Sequence, residues 1–181
     1  MSNAQEKKIE NVSIAKFALF GAAGFGIGGL TEFLIMELAG ENLLFFMLAF
    51  PIPGALGGAA LGLALRRKVT TLALLGAIGF LVGALIGFFI GEELGGENLG
   101  LAGFLFSAVR GMIGGAALGL ALRNWRAIIG LTLAGAIGFG IGWTIFSATP
   151  LDPPWLGWVL MGIIGGAFLG AALGYLEKEK L

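Results

Sequence analysis

Long apolar stretches, separated by short polar connectors, run along almost the whole chain. Each is close to the ~20 residues with which an α-helix crosses a bilayer. The strands of a membrane barrel would instead be short segments of alternating polarity, and these stretches do not alternate. The predicted fold is all-α, a polytopic membrane protein with transmembrane helices at Phe17–Met36, Leu43–Leu65, Thr71–Gly91, Leu99–Leu122, Ala127–Ala148 and Trp155–Leu176.

The apolar stretches repeat in pairs. The odd-numbered stretches share the pattern Gly-x-x-Gly-Phe, which starts at Gly21, Gly76 and Gly135. The even-numbered stretches share Gly-Gly-Ala, which starts at Gly57, Gly114 and Gly165. Such internal self-similarity predicts three tandem glycine-rich helical hairpins, at about residues 17–68, 69–125 and 126–176 of a single domain that spans residues 17–176.

Polar residues flank this domain at 1–16 and 177–181, and we interpret both segments as cytoplasmic tails. A signal peptide is the alternative interpretation of the first apolar stretch, because basic residues precede it. The stretch from Phe17 is long enough to span the membrane and further spans follow, which favours its retention.

The composition also indicates a protein embedded in the hydrocarbon core of a membrane. Glycine accounts for 34 of 181 residues, and 12% of the chain is charged, against about 25% in soluble domains. The chain contains neither cysteine nor histidine, so thiolate and imidazole ligands are lacking, and we expect no cofactor and no metal. Eleven basic and 11 acidic residues balance, which gives no indication of a nucleic-acid partner.

Ten of the 11 basic residues fall in the tails or in the connectors between hairpins, whereas the connectors within hairpins carry only acidic charges. The positive-inside rule places the basic side in the cytoplasm. We therefore expect a cell membrane location, taken to be prokaryotic, with both termini cytoplasmic. Because every hairpin then has the same orientation, any internal symmetry axis should lie along the membrane normal.

Three connector residues carry further predictions. Gly40 and Gly96 lie where glycine commonly ends a helix. Asp152, followed by proline, has the pattern of an N-cap.

Many glycines recur every four residues, which places them on one helix face. Because lipid tails are as apolar as leucine, helices in a bilayer associate through small residues that let their backbones approach. We interpret the glycines as packing residues, within or between protomers; lining of a narrow pore or lipid path is the alternative. The predicted packing glycines are Gly24, Gly28, Gly54, Gly58, Gly62, Gly79, Gly83, Gly111, Gly115, Gly119, Gly138, Gly142, Gly162, Gly166 and Gly170.

Two ionisable residues, Glu32 and Arg110, lie inside predicted spans and interrupt the repeat. Their repeat equivalents are Gly87 and Phe146 for Glu32, and Pro53 and Met161 for Arg110. A charge at the centre of a membrane helix costs about 2.5–3.5 kcal/mol on insertion scales and is a functional candidate by default. At 1.5 Å per residue, their depths differ by about 5 Å, so the two side chains can meet.

Pro51 and Pro53 lie in the same layer and are predicted to kink the second helix and free backbone carbonyls. Glu32 and Arg110 then form a buried ion pair, or Arg110 bonds to the freed carbonyls and fixes how the hairpins dock. The alternative is a polar cavity that binds or passes an ion or small solute, and a third possibility is contact with a lipid headgroup or another subunit.

The predicted function is that of a non-enzymatic structural or accessory subunit, which packs through its glycine faces in a membrane assembly. Its expected partners are membrane lipids and either further copies of the chain or other subunits. The alternative is a small channel or transporter that uses Glu32 and Arg110 for an ion or small solute. No catalytic residue is predicted, because these charges offer no nucleophile–base pair.

Overall fold

The structure is a computed structural model that describes residues 3–40, 42, 47–149 and 152–179, with side chains from residue 14 onward. The described backbone is helical between short connectors and contains no strand. The helices are α1 (Asn3–Ala39), α2 (Pro51–Leu65), α3 (Val69–Gly95), α4 (Leu99–Leu122), α5 (Trp125–Ala148) and α6 (Trp155–Lys178).

The predicted fold class is confirmed. Within the described residues, six helical segments are long and apolar enough to cross a membrane. These candidate spans are Ile14–Ala39, Met47–Leu65, Val69–Gly95, Leu99–Leu122, Trp125–Ala148 and Trp155–Lys178. The helix α1 also continues through most of the segment interpreted as a tail, back to Asn3.

Helix ends follow local backbone chemistry. Gly40 and Gly96, directly after α1 and α3, have φ angles of 52° and 51°, which a residue without Cβ adopts at no steric cost. Their predicted role is confirmed. The prediction for Asp152 is wrong: α6 begins at Trp155, with Pro154 at the capping position and no side-chain cap bond. Two prolines separate Asp152 from the first helical residues and remove it from the cap.

The second span differs most from its prediction. Helical residues 47–49 end in a turn at Phe50, and α2 then runs from Pro51 to Leu65; residues 43–46 of the predicted helix lie outside the described residues. A proline at the first helical position lacks only an N–H that would have no intrahelical acceptor. The break predicted at Pro51 and Pro53 is therefore confirmed: it lies at Phe50, inside the candidate span Met47–Leu65.

The six helices form a closed ring in chain order. Each helix packs against the helices before and after it, and α6 packs against α1. Contacts within the three predicted hairpins therefore alternate around the ring with contacts between them.

Glycines mark the places where helix backbones meet. A Cβ added at Gly54 of α2 would overlap the carbonyl oxygen of Gly76 on α3. The same overlap joins Gly111 to Gly135 across α4 and α5. Across α6 and α1 the overlap joins Gly166 to Gly21, one helical turn away from Gly162, which is the repeat equivalent of Gly54 and Gly111. Close backbone approaches at all three inter-hairpin interfaces give the ring approximate threefold symmetry, with this shift at the α6–α1 interface.

Three phenylalanines fill the axis of the ring. Phe25, Phe80 and Phe139 come from equivalent positions of α1, α3 and α5, and their ring centroids lie 5.1, 5.2 and 5.6 Å apart. We call this cluster the Phe triad. The phenyl group of each phenylalanine occupies the space that a side chain would need at the facing glycine of the same hairpin. These facing glycines are Gly57, Gly114 and Gly165.

Substitution of Gly115 by alanine tests these backbone contacts. A methyl group there would overlap the Leu131 carbonyl oxygen on α5, so Gly115→Ala should lower the free energy of unfolding by about 1–3 kcal/mol, as overpacking does. The measurement is reversible unfolding in lipid bicelles.

The matched control is Gly130→Ala, one residue before Leu131 in α5. A Cβ at Gly130 meets only the Leu176 side chain, at 3.4 Å. This variant should be neutral or more stable by up to about 1 kcal/mol, because alanine is the better helix former. Equal destabilisation by both variants would contradict the assignment of the Gly115 contact.

Candidate functional site

The two charged residues singled out in the sequence meet across the axis. Glu32 lies on α1 and Arg110 on α4, helices that are not neighbours in the ring. Arg110 Nη2 lies 2.7 Å from Glu32 Oε1, and each side chain is only 1% exposed. The contact therefore links the first hairpin directly to the second.

The repeat explains why the Arg110 side chain reaches the axis. In each hairpin the same position of the even helix packs its backbone against a glycine of the odd helix. The three pairs are Pro53 with Gly28, Arg110 with Gly83, and Met161 with Gly142. Arginine thus occupies an ordinary axial packing position, and its long side chain has to remain inside the bundle.

Aromatic rings surround the guanidinium group. The Arg110 Cζ atom lies 5.5 Å from the ring centroid of Phe80, 5.6 Å from that of Phe50 and 5.9 Å from that of Phe106. Desolvated cation–π contacts of this kind are worth about 2 kcal/mol or more and offset part of the lost hydration. Because Phe80 belongs to the Phe triad, the charged pair lies directly against this cluster of phenylalanines at the axis.

Arg110 also binds the start of α2. Its Nη2 donates a hydrogen bond to the Phe50 carbonyl oxygen at 3.3 Å, immediately before Pro51. The carbonyls that Pro51 and Pro53 deprive of a helical donor are those of residues 47 and 49. Arg110 therefore bonds at the predicted break, but to a different carbonyl from the two that the prolines free.

Several buried polar atoms of this region lack a hydrogen bond. Among the described side chains these atoms are Glu32 Oε1 and Oε2, Arg110 Nε and Trp143 Nε1. Oε1 lies 2.7 Å from the charged Nη2, which makes this contact an ion pair. Arginine often binds carboxylates through two parallel N–H···O bonds. Here Nη2 contacts Oε1, whereas Oε2 and Nε have no hydrogen-bond partner, and we call these two atoms the open arm of the pair.

Sequence reasoning missed two polar groups of this layer. Ser107 is 1% exposed, and its Oγ lies 3.7 Å from Met161 Sδ. Its repeat equivalents are the aromatic residues Phe50 and Trp158, so a polar residue at an aromatic position was the signal that could have found it. Trp143, whose indole packs against Gly103, could have been found only from its surroundings in the fold.

The other charges lie away from this layer. Lys16 and Lys68 donate from Nζ to the carbonyls of Ala64 and Ala121, each at 3.0 Å, where cations favour the carboxyl ends of α2 and α4. We call this the basic end of the bundle. Within the described ranges, no group of three or more acidic, histidine or cysteine residues is placed to hold a metal.

Comparisons with known proteins add no family to this description. No protein-family model matches the chain, and no curated protein or solved structure matches it. The six apolar helices define the class, an integral membrane protein, and the function within that class has to be argued from the geometry.

Removal of one charge of the axial pair should cost more than removal of both. Glu32→Gln or Arg110→Leu alone leaves a buried charge without its counter-charge and should lower the free energy of unfolding by about 3–5 kcal/mol. The double variant should lose clearly less than the sum of the two. A double-mutant cycle of unfolding in lipid bicelles measures the coupling.

The exposed ion pair between Arg67 and Glu177 is the matched control, because it joins the same residue types at side-chain exposures of 54% and 26%. Arg67→Leu and Glu177→Gln should each cost less than about 1 kcal/mol, because solvent screens the pair. If the coupling free energy between Glu32 and Arg110 is no larger than that between Arg67 and Glu177, the assignment of a buried ion pair is contradicted.

Proposed function

We propose that this integral membrane protein is a non-enzymatic structural or accessory subunit of a membrane assembly. The observation that carries the proposal is the filled axis. The Phe triad closes the centre of the ring, and Leu61, Leu118 and Leu169 are fully buried in the same core. A bundle packed in this way is suited to a structural role more than to conduction.

The chemistry of the buried charges supports the same role. Glu32 and Arg110 are both buried and form an ion pair with each other, as expected of a pair that fixes how hairpins dock. Their arrangement offers no nucleophile activated by a base, which is the usual basis for assigning an enzyme.

Contacts with partner subunits would use the outward face of the ring. The predicted packing glycines meet other helices of the same chain, so the glycine faces are already occupied within one protomer. The outward face instead presents large apolar side chains such as Leu19, Leu74 and Leu133, which are 69%, 60% and 57% exposed. Lipids or partner subunits would cover this face; glycine-mediated assembly between subunits stays a prediction.

We also propose that the basic end faces the cytoplasm. Arg66, Arg67, Lys68, Arg123 and Arg126 are exposed there, and such an excess of Lys and Arg marks cytoplasmic connectors. Both termini would then be cytoplasmic. The assignment to a prokaryotic cell membrane stays a prediction.

Cysteine cross-linking in native membranes tests assembly, because the chain has no cysteine of its own. Leu19, Leu74 and Leu133 occupy equivalent outward positions on α1, α3 and α5. We expect Leu→Cys at one or more of these positions to form disulfide-linked dimers or adducts with a partner after mild oxidation. Native mass measurement in mild detergent gives the size of the intact assembly.

Leu72→Cys is the matched control, because Leu72 lies in the core at 0% exposure and should not cross-link. If all three outward cysteines stay monomeric and the native mass is that of a lone chain, the proposal of a subunit is overturned.

A second candidate function is a channel or transporter for an ion or small solute that uses Glu32 and Arg110. The observation that favours it is that the pair itself carries buried polar atoms without hydrogen-bond partners, Glu32 Oε2 and Arg110 Nε. Intramembrane ionisable residues commonly mark such pathways.

Flux into proteoliposomes separates the two candidates. If the pair serves transport, wild-type protein should raise flux above that of empty liposomes, and the double variant Glu32→Gln with Arg110→Leu should abolish the increase. The control double variant, Glu177→Gln with Arg67→Leu, should retain it. Wild-type liposomes with no added flux, or unchanged flux in the axial double variant, would contradict the second candidate.

A further inference from the structure

We propose that the open arm of the Glu32–Arg110 pair binds one small neutral molecule that both donates and accepts hydrogen bonds, of which water is the smallest. This inference goes beyond the structural role and does not depend on it. It rests on the unpartnered polar atoms, the charge balance and the apolar walls of the axial layer.

The unpartnered atoms form a complementary couple. Glu32 Oε2 can only accept a hydrogen bond when ionised, and Arg110 Nε can only donate one. They belong to the same two groups whose other ends meet at 2.7 Å, which keeps the distance between them within the span of one small molecule. A molecule that accepts from Nε and donates to Oε2 would satisfy both atoms at once, as buried waters do for otherwise unsatisfied groups.

The charge balance selects a neutral ligand. One carboxylate and one guanidinium give the pair no net charge. A cation bound at Oε2 would lie against Arg110, and an anion bound at Nε would lie against Glu32. Either ion would also bring a net charge into a region of low dielectric, where charges are strongly penalised. A neutral hydrogen-bonding molecule avoids both costs.

The surroundings limit the size of the ligand. Phe50, Phe80 and Phe106 lie within 5.9 Å of the guanidinium carbon and wall it with apolar rings. Apolar walls with a few polar atoms suit one small molecule, and an extended chain of waters would leave most of its hydrogen bonds unmade.

Solid-state NMR of the protein in lipid bilayers tests this site. In protein labelled with ¹⁵N-arginine, magnetisation transferred from water should reach Arg110 Nε although its side chain is 1% exposed. The combined variant Arg66→Lys, Arg67→Lys, Arg123→Lys and Arg126→Lys leaves Arg110 as the one arginine and identifies its signal. The exposed arginines of the wild-type protein are the positive control for transfer from water, and the backbone amide of buried Leu61 is the negative control.

A second arm identifies the occupant. With protonated glycerol in deuterated water, transfer from glycerol to Arg110 Nε would show that the site admits a larger neutral molecule, whereas transfer from water alone would assign it to water. If transfer to Arg110 Nε is as low as transfer to the Leu61 amide with both probes, the proposal is overturned. The result would indicate an ion pair in which both oxygens of Glu32 bind the guanidinium group directly. A wet Nε in protein that shows no liposome flux supports the site and argues against transport.

Discussion

Helices in a bilayer gain little by burying leucine against leucine, because the lipid tails they leave are equally apolar. Association therefore depends on how closely the backbones approach, and a residue without a side chain allows the closest approach. Gly54, Gly111 and Gly166 show this constraint at equivalent interfaces, where a single methyl group would overlap a carbonyl of the next helix. Larger residues at these positions would force the neighbouring helices apart and destabilise the ring.

The same constraint explains where large side chains lie. With the interfaces occupied by glycine, bulky residues are directed either to the axis, as in the Phe triad, or to the outer surface that meets lipid. Each axial phenylalanine needs a glycine opposite it, and every hairpin of this chain contains both the phenylalanine and the glycine. The approximate threefold symmetry is thus a consequence of one local packing rule applied three times.

The symmetry is broken where the charges lie. Arg110 and Glu32 replace apolar or glycine residues of the other hairpins, and both side chains are buried. Each needs the other, so the pair ties α1 to α4 across the axis and joins hairpins that otherwise touch through neighbouring helices. Phe50 adds its ring and its carbonyl to the same group, which couples the helix break before Pro51 to the position of Arg110.

Much of this arrangement could be predicted from the sequence. The bounds of α4 agree with the predicted span residue for residue, because apolar length and an adjoining asparagine cap define it locally. The meeting of Glu32 and Arg110 followed from helical rise alone. The uncapped start of α6 was missed, because the two consecutive prolines after Asp152 shift the helix start by an amount that hydropathy does not register. The closed ring was not predicted either, since repeated faces do not specify which helix each one meets.

The account depends most directly on glycine-mediated closure of the ring in a lipid environment. Through-space NMR contacts between ¹³C-labelled glycines of the protein in bilayers would measure it. The account predicts cross-peaks between Gly21 and Gly166, between Gly54 and Gly76, and between Gly111 and Gly135, since each pair joins neighbouring helices at a backbone contact. Absence of these cross-peaks, with contacts from the same glycines to lipid acyl chains instead, would contradict it.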